Sequence, residues 1–275
     1  MVTSANRPQA APGRQWAMSR AALARAVLTS EWTKIRTLPS TAWSLRLTPA
    51  LSIATGTLVA FSFRSNIDAV VNFDPIFVGL YGLAIGQLAL VAFGVLLVGS
   101  EYSSGTIRTS LAAVPRRGMF FGAKVLVGAL VGLVVSVATV IATFAVSQAA
   151  LGPYRTTFGA DGVPSAVAGG CAYLTLVCVF SIGVAALLRS SVVSLGILIP
   201  LLFLGSQGLG NVPALKAALQ YFPQQAGMVL MHLAGPQDDP RFAHDYGVWG
   251  ALAILLAWTA AALTGGCLTL CRRDA

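Results

Sequence analysis

From about position 42 onward the chain alternates long apolar runs with short polar connections. Six runs stand out, at about 42–63, 76–99, 120–149, 166–188, 191–210 and 247–270. A hydrocarbon core about 30 Å thick takes roughly 20 helical residues, so each run is long enough to cross it. Backbone amides inside lipid must pair locally, which makes these runs helices. The ten-residue alternation of an outer-membrane barrel is absent. The pattern predicts an all-α membrane protein with a six-helix domain over 42–270. Gly82/Gly86 and Gly128/Gly132, each pair four apart, mark faces where helices approach closely.

The segments outside the runs are distinct in kind. Residues 1–18 are rich in Ala, Pro, Gln and Arg and lack the apolar core of a secretory signal; they read as a disordered cytoplasmic tail, and 271–275 as a cytoplasmic tail at the other end. Over 19–38 the spacing predicts a basic, partly amphipathic helix. Leu23, Val27, Leu28, Trp32 and Ile35 share one half of its wheel, and Glu31 interrupts that half. With Trp32, Lys34 and Arg36 near its end it is expected to lie at the membrane surface, and Pro39 stops it. Between the last two runs, 211–246 is half apolar but is broken by Pro213, Pro223 and Gly227. A re-entrant or interfacial helix pair is expected there.

Charge orients the bundle. All but four of the 18 Lys and Arg residues fall on the N-terminal side of the membrane if six crossings are made. The exceptions are Arg64, Arg155, Lys216 and Arg241, while most Asp residues sit with them. Basic residues in short loops face the cytoplasm, so both termini are expected there. The chain is 56% apolar and 10% charged, with a mean hydropathy of +0.77. A water-facing surface carries more than twice that charge. The net charge of +9 lies in segments flanking apolar runs, without a basic block interleaved with aromatics, so nucleic acid is not an expected partner.

Candidate chemistry is sparse. Cys171, Cys178, Cys267 and Cys271 form no CxxC pair and lie far from His232 and His244, so neither a metal site nor a disulfide framework is expected. The middle third of each run has no Asp, Glu, His, Lys or Arg; its polar groups are residues such as Gln87, Ser136, Tyr173 and Ser181. Arg46 and Lys124 lie near a boundary and are expected to snorkel. Ser206 has no histidine in a neighbouring run to serve as base. Proton coupling needs a buried carboxylate, and the runs supply none. The chain is therefore expected to be no enzyme and to borrow its energy.

Attention moves to the connection from Ser100 to about Met119. Ser103 or Ser104 can cap a short helix starting near Thr106, with Ile107 and Leu111 on one face beside Arg108. Such a ridge suits a partner's groove; a capped loop obeying the charge rule would use the same residues. Pro115 ends the helix, and Arg116 and Arg117 meet lipid phosphates.

The positions Glu101, Gly105, Thr106, Ile107, Arg108, Pro115, Arg117 and Lys124 resemble the signature of ABC-2-type permeases, the membrane subunits of bacterial ATP-binding-cassette transporters. The lead-in from Glu31 to Arg36 is similar to the start of such subunits, actinobacterial ones especially. Arg116 departs from the pattern, standing where a small polar residue is common. The resemblance implies an ABC-2 (type V exporter-like) fold. It makes about 101–117 a coupling helix on a separate ATPase, and gives the turn at Arg189 a smaller contact. Two ATPase copies and a second permease copy or paralogue would complete the transporter. The chain lacks a phosphate-cradling Gly-rich loop, so ATP and Mg would belong to the partner and no cofactor to this chain. The apolar faces imply export of an amphiphilic or lipid-like compound, such as a drug or peptide antibiotic. A non-transporting scaffold, immunity or signalling component and an intramembrane hydrolase are the alternatives.

Overall fold

The computed structural model describes residues 20–69, 73–107, 109, 117–206, 216–235 and 242–273. Among them every regular element is helical. In chain order these are α1 (Arg20–Thr37), α2 (Pro39–Ser65), α3 (Pro75–Leu80), α4 (Leu83–Ser103), α5 (Arg117–Leu151), α6 (Val163–Leu188), α7 (Ser191–Ser206), α8 (Lys216–Leu219), α9 (Pro223–Leu230) and α10 (Val248–Arg273). Five stretches are long and apolar enough to cross a bilayer: α2, α3 with α4, α5, α6 and α10. This is a multi-pass membrane protein.

The count differs from the six expected. Helix α7 has 16 residues with Pro200 inside it, about 24 Å at 1.5 Å per residue, short of a full hydrocarbon core. The rest of the expected 191–210 run lies outside the described residues.

Local chemistry sets the corners. Leu38 is extended before Pro39, which takes the first position of α2, where a missing N–H costs nothing. Thr41 Oγ1 lies 2.8 Å from Leu38 O and 3.1 Å from Ile35 O, its one proton serving the corner between the two helices. Asp74 Oδ1 accepts from Ile76 N at 2.8 Å and caps α3.

Helices α4 and α6 pair at the centre, with α2, α5, α7 and α10 around them. The buried face of α2 is a file of small residues, Thr41, Ser44, Thr48, Ser52, Gly56 and Ala60, three or four apart. A Cβ at Gly86 would fall within 1.7 Å of Ser52 Oγ, and one at Gly82 within 2.1 Å of Ser52 O. Both glycines therefore exist to bring α2 and α4 together. Ser52, Ser136, Thr139, Thr143 and Ser147 are buried here or nearby on α5, with no hydrogen-bond partner among the described residues. One hydrogen bond, from Thr55 Oγ1 to Gly82 O at 3.3 Å, crosses this close-packed seam. Facing outward are Leu58, Val134, Val192 and Trp249, a surface that suits lipid and would aggregate in water.

Candidate functional site

At the end of the bundle where α1, α4 and α5 meet, four charged side chains form one closed network. Glu31 and Lys34 come from α1, Glu101 from the last turn of α4, and Lys124 from the second turn of α5. Lys124 Nζ donates to Glu31 Oε2 (2.6 Å), Glu101 Oε1 (3.0 Å) and Leu97 O (3.2 Å). That uses all three ammonium protons. Lys34 Nζ donates to Glu101 Oε1 (2.7 Å) and Glu31 Oε1 (2.8 Å). The Phe120 ring lies below both ammoniums, 5.3 Å from Lys124 and 5.9 Å from Lys34. Lys124 and Glu31 are completely enclosed, whereas the Lys34 side chain keeps 36% of its surface.

Two positive and two negative charges make the quartet neutral, which is what permits its burial. Burial pushes the Glu31 carboxyl up, but Lys124 and Lys34 beside it outweigh that and hold it below its ordinary 4.5. Burial pushes the Lys34 ammonium down; its bonds to Glu101 and Glu31 prevail and hold it above 10.5. Around neutral pH both therefore remain charged. Of the four carboxylate oxygens in the quartet, Glu101 Oε2 is buried without a partner among the described residues.

Further bonds tie other helices to this end. Arg117 Nη1 donates to Leu270 O (3.2 Å) and Cys271 O (3.3 Å), closing the C-terminus of α10. The Arg189 guanidinium sits over the Tyr102 ring at 5.4 Å. Arg189 ends α6 in a left-handed conformation (φ 57°), its N–H bonded to Ala185 O at 2.9 Å.

Several sequence expectations change here. Lys124 does not snorkel: it is drawn into the bundle by two carboxylates. Buried carboxylates do exist, at Glu31 and Glu101, each neutralised by lysine. Glu31 interrupts the apolar half of α1 because it is the buried anion of the quartet. Ile107, expected on an exposed ridge, is buried in the chain's own core. Ser103 and Ser104 donate back to Ser100 O (3.1 and 2.8 Å). Among the described residues neither accepts from a backbone N–H of the helix that follows.

Gly105 turns the chain at φ +72°, a conformation natural to glycine. Thr106 is exposed, 2.9 Å from Ser104 Oγ through its hydroxyl. Trp32 and Arg36 are exposed on α1. Arg108, Leu111, Pro115 and Arg116 lie outside the described residues.

A second polar cluster is neutral and deeper. Tyr173 of α6 is fully enclosed between Gln87 of α4 and Gln224 of α9, its Oη 2.6 Å from Gln224 Oε1 and bonded to Gln87 Oε1. Gln87 Nε2 is committed to Ala84 O at 2.9 Å, which fixes Gln87's oxygen toward the phenol. One hydroxyl proton cannot serve two acceptors. Gln224 must therefore turn its amide nitrogen, otherwise unpartnered, toward Tyr173. Among the described residues no group of three His, Cys, Asp or Glu is placed to hold a metal.

No protein-family model and no curated protein matches the chain.

Proposed function

We propose that this chain is the permease subunit of an ABC-2-type transporter, exporting an amphiphilic compound with ATP hydrolysed on a separate subunit. In this reading α7 completes six crossings, both termini are cytoplasmic in a bacterial plasma membrane, and two permease chains meet two ATPases. The observation that carries it is the quartet. It joins both flanks of the connection, Glu101 before and Lys124 after, to α1. Separating a buried ion pair leaves uncompensated charge and costs about 3–5 kcal/mol. A displacement of the connection therefore moves the ends of α1, α4 and α5 as one body, which is what a subunit without an energy source requires.

The test is co-purification of the tagged chain from its native host. The reading expects a stoichiometric ATPase that carries a phosphate-binding loop, and expects Arg108→Glu to release it. Recovery of the intact chain with no ATPase, or undiminished recovery with Arg108→Glu, overturns it.

A further inference from the structure

Near the end of α10, Cys267 and Cys271 stand four residues apart on one helix, and their thiols hydrogen-bond to each other. Cys271 is exposed and Cys267 half-buried. The two lack the CxxC spacing on which a metal site is read from sequence; here one helical turn supplies the pairing instead. The last turn, which carries Cys271, is also held in place. Arg117 Nη1 of α5 donates to Cys271 O at 3.3 Å and to Leu270 O at 3.2 Å, so this end of α10 is fastened to the bundle.

Helix geometry decides what can join the two sulfurs. Side chains four apart share a face, with Cβ atoms about 5–6 Å apart, whereas a disulfide needs about 3.5–4.5 Å. The intact helix therefore keeps the pair as a dithiol. An ion lying between the sulfurs escapes that limit, because two metal–sulfur bonds of about 2.3 Å each bridge the wider gap.

Ligand type, number and charge then choose the ion. Thiolates select soft metals. Among the described residues no third Cys, His, Asp or Glu is grouped with the pair, which leaves zinc short of its four ligands. Cu(I) is soft and is satisfied by two thiolates in line. With both it carries one net negative charge. The exposed Arg272 follows Cys271, and the Arg117 guanidinium rests on the Cys271 carbonyl, so two cations stand at this end to offset it.

We propose that Cys267 and Cys271 form a two-thiolate binding site for Cu(I). Binding exchanges two thiol protons, released to water, for one ion, with no change of oxidation state. The site goes beyond the coupling reading and does not depend on it.

The test titrates the reduced full chain, in phosphatidylcholine nanodiscs without oxygen, with Cu(I) in competition with the chromophoric chelator bicinchoninate. One ion per chain should be withdrawn from the chelator, and X-ray absorption should show two sulfur neighbours at the copper. Cys271→Ser removes the exposed ligand and should weaken binding by at least about a hundredfold, since the ion is left with one thiolate. Cys267→Ser should do the same; should that variant fail to fold, Cys271→Ser decides alone. Cys171→Ser, which changes a thiol on α6, should bind as the parent does. Undiminished binding in Cys271→Ser, an equal loss in Cys171→Ser, half an ion per chain, or nitrogen or oxygen neighbours at the copper overturns the proposal.

Discussion

The quartet and the Tyr173 cluster solve one problem in two ways. Both place polar groups where water does not reach. At the helix ends the chain uses full charges, four of them, drawn from three helices. Deeper in the bundle it uses a phenol and two amides, whose desolvation costs far less than that of an ion. The lesson is one of depth: charge is kept near the boundary, where Lys34 retains contact with solvent, and dipoles serve inside. The quartet can consequently fail abruptly, while the cluster degrades by one bond at a time.

Lys124→Ala is the harshest way to break that contrast. It leaves two buried carboxylates to share the single ammonium of Lys34, an uncompensated buried charge expected to cost about 3–5 kcal/mol, read as a large drop in the thermal midpoint of the detergent-solubilised protein. Replacing all four charges together by leucine sharpens it. Removing a whole buried ion network is often neutral or stabilising by about 1–4 kcal/mol, so the quadruple variant should fold at least as well as the parent. In the transporter reading it should nevertheless lose ATP-driven export.

Tyr173→Phe comes next, with an expected loss of about 1–3 kcal/mol as two amides lose their shared hydroxyl. The same melting measurement checks it, and a result near zero would mean that the amides pair with each other.

pH gives a gentler probe. Glu31 is held below 4.5, so its contribution is full above that value and disappears as acid passes through the lower folded-state value. Lys34 is held above 10.5, so its contribution is full below that value and disappears as alkali passes through the higher one. The melting temperature should be flat across neutral pH and fall at both extremes. The smallest effect is expected from Arg117→Gln, about 0.5–1 kcal/mol, as the last carbonyls of α10 lose a cationic cap.

Much of the architecture was legible in the chain. Apolar runs of about 20 residues can do little other than form buried helices, and the glycine pairs at 82/86 and 128/132 do sit at close contacts: a Cβ on Gly128 would meet Ile182 Cδ1 at 2.5 Å. The helical class could be read because periodicity is local. The quartet could not be read the same way, because it joins residues as much as 93 positions apart. Its traces were nonetheless present. Glu31 spoiled an apolar face, and Lys124 stood inside an apolar run. Each looked like an exception to be tolerated at a boundary, and only their opposite signs hinted that one explained the other. Ile107 was misplaced for the converse reason: an apolar residue in a polar connection has two possible partners, and sequence does not say that its own chain takes it first.

Because the quartet carries its own counter-charges, it has no need of mobile ions or acidic head groups from its surroundings. Salt screens enclosed pairs weakly. Zwitterionic bilayers, anionic bilayers and uncharged micelles should therefore leave this junction equally assembled, and a preparation washed free of native lipid keeps the end of the bundle on which the connection is mounted.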